Sequence, residues 1–400
     1  MWTLGIDVGK YNHCAHVLDA EGRDRLEGFG FANSAVGLAR LEEALAGCGA
    51  VAGELRVGME ATGHYWLVLF EKLLEKGHEV VLINPLVTAA RRNVSVRGQK
   101  TDPVDALRIA ELLREERLPV SAVARAEVFK LRTLTRLRYD LAQQTIAEKL
   151  SLGALLDRAF PEHKHHFSDV VGKASCAVLM ECPTAEHLKK IDVRKLTGLL
   201  EKASRGRMGR EEAQALKTSA KHSFCVSAHA EVLALEIRFA VERINQVLSQ
   251  IARLDEQLGA YFTEQQELLQ SIPGIGPVWA PTILAEVLPI FDPEHPRGAR
   301  KFVAMAGLDP KSHQSGQSQG KDKMSKRGSR YLRTAAIQAA EVAACRAKDP
   351  LFAGVYLTQR QRGKSHAVAL SHVANKMLHV IFAVLRNKTE YEPKLQSIDN

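Results

Sequence analysis

Apolar and polar positions along the first hundred residues follow two different periods. Runs with strand character occupy residues 2–8, 13–19, 25–33, 55–60 and 78–85. Helical spacing of apolar residues occupies 34–47 and 64–77, between the later strands. Three strands joined by turn-prone residues predict an antiparallel meander, and the alternation that follows predicts strands separated by helices. This order favours an α/β domain with a ribonuclease-H-like fold.

Beyond residue 125 the pattern becomes helical. A polar-rich helix is predicted over 126–158, followed by short helical pieces over 159–230. Apolar residues from Leu233 to Leu258 recur at steps of three and four, which predicts one long amphipathic helix over 231–269. The heptad-like seam indicates pairing with another helix, as in a coiled coil. It leaves open whether that helix belongs to the same chain.

A chain of 400 residues is too long for one compact core. The patterns predict an α/β domain over 1–125, a helical linker over 126–265 with an insertion at about 159–230, a mainly α-helical domain over 266–387, and a polar tail over 388–400. No uninterrupted apolar run reaches the roughly 18 residues of a membrane span, and the first residues do not resemble a signal peptide. We therefore expect a cytoplasmic protein with no membrane partner.

Four acids stand where such a fold would bring them together. Asp7 and Glu60 each end a predicted strand, and the ends of parallel neighbours meet at one edge of a sheet. Asp102 and Asp105 lie three residues apart at the start of a predicted helix, so both share one of its faces. Alone, each has an ordinary explanation as a turn acid, a strand-end residue or a complement to the helix dipole. Their joint placement favours a cluster of four carboxylates.

Such a cluster repels itself unless cations neutralise it, and its hard oxygen ligands suit Mg²⁺ or Mn²⁺. Two such ions about 4 Å apart can activate an attacking oxygen and stabilise a leaving one in phosphoryl transfer. The sequence therefore predicts a metal-dependent site at the four acids. The histidines of 163–166 could bind a metal, but a solvated loop is the expected structure there. The six cysteines lack the spacing of a zinc site.

Basic segments flank the candidate chemistry. The net charge is +9 and the isoelectric point about 9.2, which suits a protein that binds nucleic acid. Residues 91–100 contain no acid and lie just before Asp102, and 321–333 is rich in lysine and arginine. Solvated loops are the alternative explanation for both segments. The candidate phosphate contacts are Arg91, Arg92, Arg97, Lys100, Lys326, Arg327, Arg330 and Arg333.

The segment SIPGIGPVWAPTILAEV (271–287) has the pattern of a helix-hairpin-helix element. Gly274 and Gly276 would let backbone amides approach a phosphate without reading sequence. An ordinary helical hairpin is the alternative explanation.

A polar segment, SHQSGQSQGKDKMSKRG (312–328), contains several serines followed by cations. A serine hydroxyl becomes a nucleophile only if a base or metal takes its proton and cations hold the phosphate. From composition alone Ser315 is one candidate, and Ser312, Ser318 and Ser325 are equally available.

The chain closes with an amphipathic helix, GKSHAVALSHVANKMLHVIFAVLR (363–386). Lys364 and Lys376 are further candidate phosphate contacts. His372 and His379 are expected to pack against neighbours or to face solvent.

In combination these motifs resemble the DEDD-type insertion-sequence transposases, which are related to the Piv-type DNA invertases and are also known as bridge-RNA-guided recombinases. The resemblance covers roughly 1–125 and 265–385. It rests on GIDVGK, GMEATGHYW, KTDPVDALRIAELL, SIPGIG, FVAMAGLDP and SGQSQGKDKMSKRGSRYLR. It implies a RuvC-like domain whose acidic tetrad binds magnesium, a coiled-coil linker, and a transposase domain with a serine nucleophile. The insertion at 159–230 matches no motif of this family.

Carried onto this chain, the tetrad falls on Asp7, Glu60, Asp102 and Asp105, and the nucleophile falls on Ser315. The resemblance implies strand cleavage and exchange through a covalent serine–DNA phosphodiester. It also implies a composite site shared between protomers of a dimer or tetramer, and a structured RNA that pairs with donor and target DNA. Two alternatives stay open: a junction-resolvase-like nuclease that uses water, and a non-catalytic DNA-binding protein.

Overall fold

The chain folds into two compact units in the computed structural model. The described residues are 1–60, 63–83, 88, 101–114, 126–226, 228–311, 314–315, 318–319 and 323–393. The first unit contains Met1–Val128 with Val287–His295, and the second contains Phe129–Glu286 with Pro296–Asn400.

The first unit is built on a mixed sheet, in which five strands are described. They are β1 (Trp2–Val8), β2 (Asn12–Leu18), β3 (Asp24–Ala32), β4 (Leu55–Glu60) and β5 (Glu79–Ile83). The order in the sheet is β3-β2-β1-β4-β5, with β2 antiparallel to β1 and β3, and β4 parallel to β1 and β5. The meander and the strands after it agree with the sequence prediction.

Different helices cover the two faces of this sheet. Helices α1 (Ala35–Gly47) and α2 (Trp66–Glu75) pack on the face that carries Leu4, Ile6 and Val57. Helix α3 (Asp102–Arg114) packs on the opposite face, where Val81 and Ile83 of β5 form a cluster with apolar side chains of α3. A period of two along each strand separates these two sets of side chains.

The second unit is helical. Its first part comprises α4 (Ala126–Ala159, which begins in the first unit), α5 (His163–His166), α6 (Lys173–Glu181), α7 (Ala185–Lys190), α8 (Val193–Ser204), α9 (Arg210–Lys221), α10 (Ala230–Leu258) and α11 (Thr263–Gln270). The mixed α/β sheet followed by a helical C-terminal region agrees with the predicted fold class.

Helices α4 and α10 lie antiparallel in the same chain. Arg243 of α10 donates to both carboxylate oxygens of Glu148 of α4, at 3.0 and 2.9 Å, and Asp255 accepts from Arg138. Apolar side chains of both helices share one buried cluster. The seam predicted over this region therefore faces a helix of its own chain, while a coiled coil stays a prediction.

The prediction of one helix over 231–269 is wrong in its extent. Helix α10 ends at Leu258, and the chain turns through Phe262, whose φ of 48° is left-handed, before α11 begins. The buried amide of Gln266 donates to the Leu258 carbonyl oxygen at 3.1 Å. This bond satisfies a carbonyl at the end of α10, a contact that an apolar period does not reveal.

The expected solvated loop at 163–166 is also wrong. The segment is the helical turn α5, and His163 is only 1% exposed. Its ring packs against Phe160 and Phe167, and its Nε2 lies 2.7 Å from the hydroxyl of Ser175. The histidine belongs to the core of the helical insertion because its aromatic ring is buried between two others.

The remaining helices are α12 (Trp279–Val287), α13 (Gly298–Ala306), α14 (Arg330–Glu341), α15 (Pro350–Gln361) and α16 (His366–Asn387). Two short strand pairs lie between α13 and α14. They are β6 (Pro310–Lys311) with β9 (Lys323–Met324), and β7 (Gln314–Ser315) with β8 (Ser318–Gln319).

Helix α16 is, among the described helices, the one that is long and apolar enough to cross a membrane by length and composition. His372, Lys376 and His379 interrupt its apolar residues, so it is not the uninterrupted apolar run that the sequence was searched for. However, 56% of its most apolar window is buried, and it packs against α13, α14 and α15. Phe382 meets Phe302 of α13 edge to face, with ring centroids 5.4 Å apart. These contacts are those of a core helix.

Candidate active site

The ends of two parallel strands bring Asp7 and Glu60 side by side. The register of β1 and β4 pairs Ile6 with Met59, so the two acids are the next residues on adjacent strands. Both side chains are partly buried. Neighbouring strands lie about 4.8 Å apart, which is a separation that two carboxylates can share with one cation.

The face that carries these two acids is the one covered by α3. A Cβ added to Gly5 would lie 2.1 Å from a carbonyl oxygen of α3, and one added to Gly58 would lie 2.7 Å from a leucine of α3. Residues two apart on a strand share a face, so Asp7 and Glu60 lie on this side as well. The two glycines let the helix come close to the acids.

Asp102 begins α3, whose first hydrogen bond runs from the Asp105 amide to the carbonyl oxygen of Thr101 at 3.0 Å. Its carboxylate acts electrostatically on Cys14, the residue opposite Asp7 in the β1–β2 pair. Burial raises the pKa of the Cys14 thiol to about 11, and the negative charges of Asp102 and Asp7 add to the shift. Acids from a strand and from a helix therefore lie within electrostatic range of one thiol.

Two of the acids have polar partners that sequence reasoning missed. Arg108 donates to Asp105 at 3.0 Å, and these side chains are 14% and 13% exposed. The hydroxyl of Thr88 donates to Glu60 at 2.6 Å. The spacing of Asp105 and Arg108, three residues on one helix, is a signal that could have revealed the first pair. No local pattern links Thr88 to Glu60, which lies 28 residues earlier.

The residues fit a hard divalent cation by donor chemistry. Carboxylates from β1, β4 and α3 lie on one side of the sheet, and oxygen donors of this kind suit Mg²⁺. Within the part of the chain that is described, no three acid, histidine or cysteine side chains are arranged as a metal site. Metal binding by all four acids would bring the ion beside the Asp105–Arg108 ion pair. The metal role of the tetrad stays a prediction.

Ser315 lies at the end of a short hairpin in the second unit. Its backbone pairs with that of Ser318 across β7 and β8. Below them, β6 pairs with β9. The nucleophile predicted by resemblance is therefore the last residue of β7, and its chemical role stays a prediction.

The base of the hairpin is held by several close contacts. The Ser325 hydroxyl donates to the Asp309 carboxylate at 2.6 Å, and the Ser325 amide donates to the Asp309 carbonyl oxygen at 2.9 Å. Gly307, with a left-handed φ of 64°, and Gly328, with φ 141°, lie where a Cβ would clash with neighbouring backbone. Ser325 thus has a structural contact at the base of the hairpin.

The predicted phosphate contacts of this region have different surroundings. Lys326 and Arg327 are exposed. Arg333 donates to the carbonyl oxygens of Ala306 and Lys326 at 2.8 and 3.4 Å, which braces the base of the hairpin. Arg330 contacts Asp140 of α4 at 3.0 Å, and its guanidinium lies over an aromatic ring of α14. Arg91, Arg92, Arg97 and Lys100 lie outside the described residues.

The glycines of the PGIG turn differ as well. Gly274 has φ 89°, and a Cβ there would lie 2.2 Å from the carbonyl oxygen of Ala339 in α14. The close approach at this position is thus to the protein's own backbone. Gly276 has open space around its Cα, and its carbonyl oxygen accepts from the amides of Trp279 and Ala280 at the start of α12. A helix-hairpin-helix role for this turn stays a prediction.

Two family models match the chain. The first, described as a transposase and named for DEDD transposases of IS110, matches residues 4–161. The second, described as the transposase IS116/IS110/IS902 family, matches residues 266–380. Together they cover more than half of the chain, including the acids and the serine hairpin.

Similar proteins support the same relationship. The "Insertion element IS116 uncharacterized 44.8 kDa protein" of Streptomyces clavuligerus is 27% identical over 98% of this chain and 96% of its own length. A "Probable family 20 transposase" of Pseudomonas aeruginosa is 28% identical over 84% of this chain and 86% of its own. A "Pilin gene-inverting protein" of Moraxella bovis is 22% identical over 85% of this chain and 83% of its own.

Proposed function

Because the chain belongs to the IS110 family of DEDD-type transposases and is a DNA transposase/recombinase, we propose a specific chemistry for its reaction. It mobilises an insertion sequence by magnesium-dependent cleavage and exchange of DNA strands through a covalent serine–DNA intermediate. The observation that carries this proposal is the register of β1 and β4. It puts Asp7 beside Glu60 on the face covered by the helix that begins with Asp102 and Asp105.

We assign the RuvC-like catalytic domain to 1–125 and the helical linker with its insertion to 126–265. The transposase domain occupies 266–387, and a polar tail occupies 388–400. The protein works in the cytoplasm on nucleoid DNA, as a homo-oligomer, with a structured RNA as guide. The RNA and the oligomer rest on family resemblance alone, and the DNA partner rests on membership of a transposase family.

In the acid site, Asp7, Glu60, Asp102 and Asp105 would hold magnesium. The bound ion would polarise a phosphate and stabilise the oxygen that leaves. Thr88 would orient Glu60 through the hydrogen bond it donates. Arg108 would neutralise Asp105 until the metal arrives, because a carboxylate cluster without cations is unstable.

In the serine site, the Ser315 hydroxyl oxygen would attack a backbone phosphorus. A new O–P bond forms and the bond between phosphorus and one strand oxygen breaks. A carboxylate base takes the serine proton and passes it to the leaving oxygen. The hydroxyl of the exchanged strand then reverses these steps. One phosphodiester replaces another at each step, so no external energy source is needed. Lys326 and Arg327 would hold the phosphate by charge.

Denaturing gel electrophoresis with labelled DNA tests the serine role. Wild-type protein with magnesium should give a band of protein covalently linked to DNA, and Ser315→Ala should give none. Ser325→Ala removes a structural contact and should lower the amount of adduct without abolishing it. Ser318→Ala controls for a neighbouring hydroxyl and should keep the adduct.

The same gel separates the alternatives. Cleavage that persists in Ser315→Ala would favour a nuclease that uses water. Loss of all cleavage in wild-type protein, with no calorimetric signal on magnesium titration and no effect of Asp105→Ala, would favour a non-catalytic DNA-binding protein. RNA guidance requires that cleavage of a matched duplex depend on RNA transcribed from the DNA beside the gene.

A further inference from the structure

The C-terminal helix carries basic residues on its exposed side and no acid. Between residues 350 and 389 the chain contains six lysines and arginines, three histidines, and no aspartate or glutamate. His372, Lys376 and His379 follow one another at steps of four and three, so they share one side of α16. The two histidines are exposed and the lysine is partly buried.

Cations from outside the helix extend this side. Lys364 and Arg362, in the turn before α16, are exposed. Burial lowers the pKa of His372, and these two positive charges lower it further. Lys376 and the exposed Arg300 of α13 act in the same way on the second histidine. The charges that act on the two imidazoles are all positive. Four cations therefore lie close to this side of the helix.

These cations have no acidic partner within the described part of the chain. Many other surface cations of this unit do: Lys149 contacts Asp169 at 2.6 Å, and Lys189 contacts Glu186 at 2.6 Å. An unneutralised basic surface raises the local concentration of polyanions and gains free energy by releasing their counterions.

We propose that this surface binds the phosphate backbone of DNA. The α16 basic face is formed by Arg300, Arg362, Lys364, His372, Lys376 and His379. The proposal rests on the proposed function, since a recombinase must hold duplex DNA beyond the cleaved bond. From residue 366 to 379 the helix advances about 20 Å. At about 3.4 Å per phosphate of one strand, that length spans roughly six phosphates.

The other side of α16 argues against an anionic membrane as the partner. Met377, Leu378 and Ile381 are buried, and Phe382 packs against Phe302. A helix that binds a bilayer surface buries its apolar side in lipid. Here that side is already covered by the protein, so only the polar side is available, and a phosphate chain matches it.

The salt dependence of DNA binding tests the proposal. The full chain is titrated against a fluorescent 30-base-pair duplex of arbitrary sequence, and the association constant is measured at several salt concentrations. In the triple variant Arg362→Gln, Lys364→Gln, Lys376→Gln, the slope of log K against log salt should fall by about 2 to 3, with affinity lowered about 10- to 100-fold at 0.1 M salt.

The matched control removes three charges that already have acidic partners. Lys149→Gln, Lys189→Gln, Lys195→Gln changes the net charge equally and should leave the slope within about one unit of the wild type, because paired cations release fewer counterions. An equal loss of affinity in both triple variants would overturn the proposal in favour of net charge alone. An unchanged slope in the basic-face variant would overturn it directly.

Further measurements cover the other outcomes. Loss of binding to anionic vesicles or to single-stranded RNA, with DNA binding unchanged, would overturn the proposal in favour of those partners.

If the triple variant does not fold, acetylation of wild-type lysines is compared by mass spectrometry with and without duplex. DNA should protect Lys364 and Lys376 but not Lys202, and equal labelling would overturn the proposal. Asp7→Asn separates the two claims, since it should abolish cleavage while leaving the salt slope unchanged.

Discussion

Side chains that neighbour the acids distinguish the members of the cluster. Asp105 has a resident cation in Arg108, and Glu60 accepts from Thr88. Asp7 and Asp102 both act on the Cys14 thiol. Asp105 therefore has a described arginine partner, and we expect a bound metal to compete with that arginine for its negative charge.

Replacing Arg108 tests this competition. Arg108→Gln should lower the free energy of unfolding by about 1–3 kcal/mol without metal, since it leaves a partly buried carboxylate beside other acids. Magnesium should then raise the melting temperature more than in wild-type protein. Thermal unfolding with and without magnesium measures both effects.

Arg56→Gln is the control, because Arg56 is paired with Glu79 at 3.0 Å in the same sheet, four residues before Glu60 on β4. Its response to magnesium should equal that of the wild type. If magnesium raises the melting temperature of Arg108→Gln no more than that of the wild type, the Arg108–Asp105 ion pair does not compete with the metal.

The buried His163 makes the helical insertion sensitive to acid. Burial lowers its pKa to about 4 from an ordinary value near 6.5. The unfolded chain therefore binds a proton between these values that the folded chain excludes. Stability is complete above about pH 6.5 and falls as the pH drops toward 4, by up to about 3 kcal/mol.

Urea unfolding at several pH values measures this loss. His163→Gln should be less stable than wild-type protein at pH 7. Its free energy of unfolding should change less between pH 6.5 and 4. The exposed neighbour provides the control, and His165→Gln should keep the wild-type slope. An unchanged slope in His163→Gln would assign the acid sensitivity to other groups.

At the scale of elements, the contact between α3 and the sheet determines the geometry of the acids. Gly5 lies directly under the backbone of α3, where a Cβ would be 2.1 Å from a carbonyl oxygen. Gly30 of β3 has open space around its Cα. The two glycines are in one sheet. Comparing their replacement by alanine therefore separates the effect on the packing of α3 from the effect on strand propensity.

Gly5→Ala should cost about 3 kcal/mol or more, because the methyl group forces α3 away from β1. The shift also separates Asp102 from Asp7, so DNA cleavage should fall further than the loss of folded protein explains. Gly30→Ala should change stability by less than about 1 kcal/mol. Chemical unfolding and cleavage per folded molecule are the measurements, and equal stability of the two variants would contradict this packing.

At the scale of the whole molecule, the candidate groups are divided between two compact units. The acids belong to the first unit and Ser315 to the second. Family resemblance implies that the acids of one protomer act with the serine of another. If the site is composite, one variant can lack a working acid and another can lack the serine. A mixture of the two variants should then contain some intact sites.

Mixing Asp7→Asn with Ser315→Ala tests that arrangement. Each variant alone should form no covalent adduct. In a one-to-one mixture of dimers, half are heterodimers with one intact composite site each, so adduct should recover to about a quarter of the wild-type amount. No recovery, despite exchange of subunits shown by differently tagged chains, would place both groups within one protomer.

Local periodicity predicted the helices and strands and showed which acids lie at their ends. Alternation of apolar residues predicted the five strands, and helical spacing predicted α1, α2 and α3, because the burial of one face requires those periods. Asp7, Glu60 and Asp102 were found at element ends for the same reason. Ser315 was singled out as the candidate nucleophile by resemblance, since composition left four candidates.

Only the tertiary structure decided which distant residues meet. It gave α10 a partner in α4, ended that helix through Gln266, and buried His163. It also placed Thr88 on Glu60 and set Gly274 against α14. These contacts join residues far apart in the chain, and their free energy depends on packing that no local period encodes.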